Sequence, residues 1–186
     1  MNPTPTAFKP AVKPWFKPWF KPMSGAVLLC LLAACNNAGP QAVAQEPGAD
    51  TACVLDGMLL KEFPGPKAQI HYAEGNPDFF CDLMEMFSAL LAPERKRPPT
   101  ATFVQDMGKT GWEHPAANCI DAKTALYVAG SKKRGSMGPT LGAFSSIEAA
   151  QQFLRKEGGK VLRFEQVTLN MVSLTGGATH DTTTSH

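Results

Sequence analysis

The chain has 186 residues, with 18 Lys and Arg against 16 Asp and Glu and a formal net charge of +2. Four of those lysines, Lys9 and then Lys13, Lys17 and Lys21 of the repeat "KPWFKPWFKP", precede a short apolar run, so the rest of the chain holds 14 basic against 16 acidic residues. A slightly acidic body excludes a basic nucleic-acid face, and "KKR" at 132–134 reads as a solvated loop.

Residues 24–34, "SGAVLLCLLAA", form an apolar run of 11, too short for a permanent transmembrane helix. A basic segment, a short apolar segment and the closing "LAAC" match a bacterial lipoprotein signal, with cleavage before Cys35 and acylation of that cysteine. A start at Met23 would remove every lysine ahead of the run, so the longer leader fits better. Residues 1–34 are therefore expected to be a signal peptide, and residues 35–50, rich in small and polar residues and proline, a flexible tether. The body is expected over 51–174, and residues 175–186 to be a disordered tail. The expected location is the periplasmic side of a bacterial membrane, lipid-anchored, with the outer membrane ahead of the inner.

Within the body, "KAQIHYA" alternates as a strand should. From Asp78, "DFFCDLMEMFSALLAPE" places Leu83, Met84, Met86, Phe87, Leu90 and Leu91 at helical spacings, with Asp78 as N-cap and Pro93 just past the end. A strand "TATFVQDM" follows. Further on, "ALYVAG" and "LGAFS" read as strands, and "SSIEAAQQFLRKEGG" as a helix with a capping box, Ser145 with Glu148, and a Gly-Gly stop. "KVLRFEQV" closes the pattern as a strand. The expected class is α+β, as two similar small lobes of strand-strand-helix-strand type packed together, about 51–108 and about 119–174.

Removal of the leader takes Cys30, and Cys35 becomes the anchor, which leaves Cys53, Cys81 and Cys119. An odd number of thiols in an oxidising compartment leaves at least one unpaired within the chain, and a Cys53–Cys81 disulfide is one open possibility. The other is a site for a soft metal ion. "CVLDGM" sets Cys53 five residues before Met58, and Met137 lies in "RGSMGPT"; both methionines adjoin glycine in turn-like settings. A thiolate with thioethers selects copper(I). His71 on its strand offers a nitrogen, whereas Met84 and Met86 read as core. Without CxxC or a paired-histidine motif, structural zinc is not expected. No GxSxG, Gly-rich phosphate loop or HExxH occurs, and Cys81 with His71 lacks an orienting third group, so an enzyme is not expected.

Taken together, "CVLDGM", "FPGPKAQIHY", "FFCDLMEMF", "VQDMG", "GSMGPT" and "GGKVLRFEQV" resemble the NosL family of nitrous oxide reductase accessory lipoproteins, across essentially the whole body. The resemblance implies a periplasmic copper(I) chaperone that helps assemble the copper–sulfide centre of nitrous oxide reductase during denitrification. It also implies two homologous lobes, distantly similar to organomercurial lyase. Its expected partners are the reductase with its maturation machinery, and the membrane through the lipid; the chain itself is expected to be a monomer. Many relatives carry CxxCGM; here Asp56 stands at the second cysteine position, while Cys53 holds the first and Met58 the methionine. Met137 matches a more distant methionine ligand. The implied copper(I) ligands are thus Cys53, Met58 and Met137, with Cys53 serving in place of the missing cysteine and Cys81, then His71, as further candidates. Cys119 falls outside the pattern. The rival is a disulfide-stapled scaffold that docks on the reductase without carrying metal.

Overall fold

The structure is a computed structural model that describes residues 42–173; the expected signal peptide, Cys35 and the tail lie outside those residues. The alternation in "KAQIHYA" becomes β1 (Ala68–His71), buried along its whole length as a strand covered on both faces must be. It pairs antiparallel with β2 (Asp78–Phe80) on one side and β3 (Ala101–Gln105) on the other, and β4 (Cys119–Asp121) extends the sheet beyond β3. Between β2 and β3 runs α1 (Leu83–Leu91), which buries Leu83, Met86, Phe87 and Leu90, the stripe that helical spacing requires.

A second sheet is centred on β5 (Leu126–Ala129). Between β5 and the next sheet strand the chain makes a small hairpin, β6 (Arg134–Gly135) and β7 (Gly138–Pro139). It then adds β8 (Gly142–Phe144), α2 (Ile147–Glu157) and β9 (Lys160–Arg163), with β8 and β9 flanking β5. The class is α+β, as expected. The order strand, strand, helix, strand occurs in both halves with the first strand central. The buried side chains do not divide at that boundary: Ile70, Phe87 and Val104 share one cluster with Tyr127, Ala143 and Leu162. Phe87 and Tyr127 meet edge-on, their centroids 5.0 Å apart.

Several local expectations shift. Asp78 does not cap α1, because residues 78–80 pair with β1 and the Asp78 carboxylate instead accepts from Tyr72 Oη at 2.7 Å. Asp82 is the cap, accepting from Met84 N at 2.8 Å. Likewise Ser146, not Ser145, caps α2 by accepting from Ala149 N at 3.2 Å, while Ser145 N donates to buried Asp106. The Gly-Gly stop stands: Gly158 has φ +74° and its N–H donates to Leu154 O at 2.9 Å. The last strand ends at Arg163 and tightens into a 3-10 turn over Phe164–Gln166. In the stretch read as tether, Gln45 exchanges two 2.8 Å hydrogen bonds with the Gln69 side chain, one from its N and one to its O.

Candidate metal site

Residues 53–58 fold back on themselves. Cys53 N donates to Met58 O at 2.8 Å and Gly57 N to Cys53 O at 3.0 Å. Gly57 takes φ +76°, a conformation that favours glycine, and Asp56 Oδ1 accepts from Met58 N at 2.9 Å. Five residues of separation thus become adjacency. Val54 N, donating to Phe79 O at 2.8 Å, pins this loop to β2. That strand delivers Cys81 at its end, one residue before the cap of α1.

Both thiols are buried, and Cys53 Sγ and Cys81 Sγ each lie 3.2 Å from the same atom, Glu85 Oε2. Glu85 is buried too, on α1 one turn beyond Cys81. Together with Asp56 these residues offer four donor atoms within 4.8 Å of one another. The tip of the β6–β7 hairpin closes the site from the other half of the chain, with Ser136 Oγ 3.0 Å from Cys81 Sγ. Beneath it, buried Lys67 donates from Nζ to Cys81 O at 3.1 Å and to Pro64 O at 3.0 Å.

The electrostatics follow from crowding acids around one cation. The hydrogen bond from Cys81 holds Cys53 well below the usual thiol range, at about 5, against the opposing pull of burial. Cys81 is pushed up as donor to Cys53, further by burial, and by Glu85. Burial raises Glu85 to about 8, and its hydrogen bond with Cys53 adds to that. Burial lowers Lys67 to about 8, opposed by the acids around it. The two thiols and the carboxyl thus compete for protons within one small buried site, and two sulfurs so placed suit a soft metal ion better than a hard one.

The profile of the NosL family matches residues 44–172. The chain belongs to the NosL family. The copper-binding lipoprotein NosL of Stutzerimonas stutzeri is 36% identical over 134 residues, covering 69% of this chain and 70% of that protein. Its counterpart from Achromobacter cycloclastes is 39% identical over 154 residues, covering 79% of each. The crystal structure of the copper chaperone NosL from Shewanella denitrificans aligns with a TM-score of 0.67 at 36% identity, over 71% of this chain and 99% of that one. The fold described above is therefore a NosL fold.

In this NosL-family chain the candidate residues fall into two groups. Cys53 and Cys81 are together, unbridged, and Met58 packs half-buried against the same small cluster. Met137 stands 56% exposed at the hairpin tip, next to the serine that touches Cys81. His71 lies apart, at the end of β1 away from Lys67. Its Nε2 is 2.7 Å from Gln69 Oε1, its ring meets Phe103 edge-on, and burial lowers its pKa. Cys119 is on β4, where burial raises its pKa to about 11 and its Sγ accepts from Gln69 Nε2 at 3.8 Å. Met86 is core. Glu85, Lys67 and Ser136 were missed from sequence. For Glu85 a signal existed: it is the one ionisable residue in "LMEMFSALL", four positions after Cys81.

Proposed function

We propose that this chain carries copper(I) as cargo, bound by the thiolates of Cys53 and Cys81 with the thioethers of Met58 and Met137 closing the site. The observation that carries this reading is two buried thiols converging on one carboxylate, beside a buried lysine that offsets their charge. The donor set is soft and suits copper(I); the carboxylates alone would suit a harder ion. The relatives' names, copper-binding lipoprotein and copper chaperone, support copper as the cargo, and the softness of the donors supports its reduced state. The recipient in this reading is nitrous oxide reductase and its maturation machinery, which receives copper for its copper–sulfide centre. Cys35 is the lipid anchor on the periplasmic side. A double acyl anchor exceeds the marginal binding of a single chain.

Anaerobic competition with a copper(I) chelator, combined with X-ray absorption, tests the site. One copper per chain with a sulfur-dominated shell is expected. Cys53→Ala and Cys81→Ala should each cost more affinity than Met58→Leu or Met137→Leu, because the thiolates supply the charge. Unchanged affinity in both cysteine variants overturns the assignment. The scaffold reading draws on the same closeness of the two sulfurs. Thiol counting of protein isolated from the membrane fraction separates the two, since a Cys53–Cys81 disulfide that resists cellular reductants leaves no thiolates to bind metal. Mass spectrometry of the native N-terminus tests the anchor, and a mature chain that begins elsewhere without lipid refutes it.

A further inference from the structure

Asp82, the residue after Cys81, carries a carboxylate that is only 1% exposed. Its Oδ1 accepts from Met84 N at 2.8 Å, capping α1, and from Thr140 Oγ1 at 2.6 Å across 58 residues of sequence. Its Oδ2 makes no hydrogen bond of ordinary geometry among the described residues, while the backbone N–H of Met137 lies near enough to the carboxylate to favour its charged form. That oxygen faces Gly135, where an added Cβ would collide with it and would stand 3.0 Å from Thr140 Cγ2. Gly135 ends β6 and Thr140 follows β7, so a single carboxylate is clasped between the two strands of the hairpin at its neck. One residue further, at the tip, Ser136 touches Cys81 and Met137 stands exposed. On the outer side, Trp112 Nε1 donates to Arg134 O at 2.9 Å, so the neck is held from both sides.

Capping alone does not account for Asp82. Ser, Thr or Asn caps a helix about as well. Burying a carboxylate with one oxygen short of an ordinary hydrogen bond is costly, and such groups persist where they fix a geometry. We propose that Asp82 is a positioning residue. Through Thr140 and the close approach of Gly135 it sets how far the hairpin tip, and with it Met137, stands from the thiol pair. It thereby sets how tightly the cargo is held. The inference rests on the proposed ligand set, and its test separates the two.

The test is a double-mutant cycle on the full chain: Thr140→Val, Met137→Leu and the pair, each titrated anaerobically with copper(I) against a chromophoric chelator. Valine keeps the shape of threonine and removes the hydroxyl. The hydrogen bond's worth bears on affinity only in so far as it is felt more in the copper-bound form, so its loss should lower affinity by up to about tenfold. In the Met137→Leu background the same substitution should change affinity by less than about twofold, because its effect runs through Met137. X-ray absorption of Thr140→Val should show one sulfur fewer on copper, and Thr140→Ser should restore both affinity and sulfur count. Unchanged affinity in Thr140→Val overturns the inference, as does an equal loss in both backgrounds, which would mark ordinary destabilisation. Unchanged affinity in Met137→Leu overturns the ligand assignment itself, and the inference with it. If Thr140→Val does not fold by circular dichroism, Asp82→Asn, which keeps the helix cap, enters the same cycle with the same outcomes.

Discussion

Replacing Glu85 by Gln should change how the stability of the metal-free protein depends on pH. Glu85 is 2% exposed, and burial raises its pKa from 4.5 to about 8. A carboxyl with a raised folded-state pKa binds more protons in the folded than in the unfolded chain between those two values. Its contribution is fully present below pH 4.5 and is lost as pH rises towards about 8. At pH 7 the loss amounts to roughly 3 kcal/mol, at about 1.4 kcal/mol per unit of difference. The Cys53 thiol works in the opposite direction. Its pKa is lowered from 9.0 to about 5, so it contributes stability above pH 9 that is lost as pH falls through 5. The pH profile of the wild type alone therefore mixes the two, and since Glu85 also touches both sulfurs, the comparison of wild type with Glu85→Gln is repeated in a Cys53→Ser background to remove the thiol's own titration. Urea unfolding of both metal-free proteins, reduced and with chelator, at intervals from pH 5 to 8 measures it. Glu85→Gln should be no more stable than wild type at pH 5 and gain on it by roughly 3 kcal/mol towards pH 7. Parallel profiles would refute the idea that Glu85 is held protonated by its burial.

Gly135→Ala should lower stability by about 1–3 kcal/mol, because its Cβ meets the Asp82 carboxylate and neither backbone nor a buried side chain can easily give way; thermal unfolding checks this. Cys119→Ser should retain one copper per chain, since Cys119 lies on β4 with Gln69 rather than with the thiol pair; loss of binding in a folded variant counts against the site as drawn. Copper(I) affinity should fall across the whole range from pH 7 to 4, because a proton must leave Cys81, and more steeply below about 5, where a second proton competes for the Cys53 thiolate; competition titrations would show both slopes, and a flat profile would exclude the two thiolates as ligands.

The local elements were legible because their signals are local. The stripe Leu83, Met86, Phe87 and Leu90 and the Gly158–Gly159 stop each lie within one helix length, and the alternation of "KAQIHYA" lies within one strand. The softness of the donors was legible too, since it belongs to the residue types and to no geometry. Helix starts were decided elsewhere. Asp78 and Asp82 are equally good caps in isolation, and only the pairing of Phe80 with Ala68 removes the first from the helix. The site was decided the same way. Nothing in the spacing of Cys53, Cys81 and Ser136 announces contact, because they come from a loop, a strand end and a hairpin tip that only the packed sheets bring together. The hairpin itself has two-residue strands and too few apolar positions to show any period. Its place is set by a buried carboxylate and a glycine small enough to lie against it, a matter of close packing in space rather than of sequence pattern.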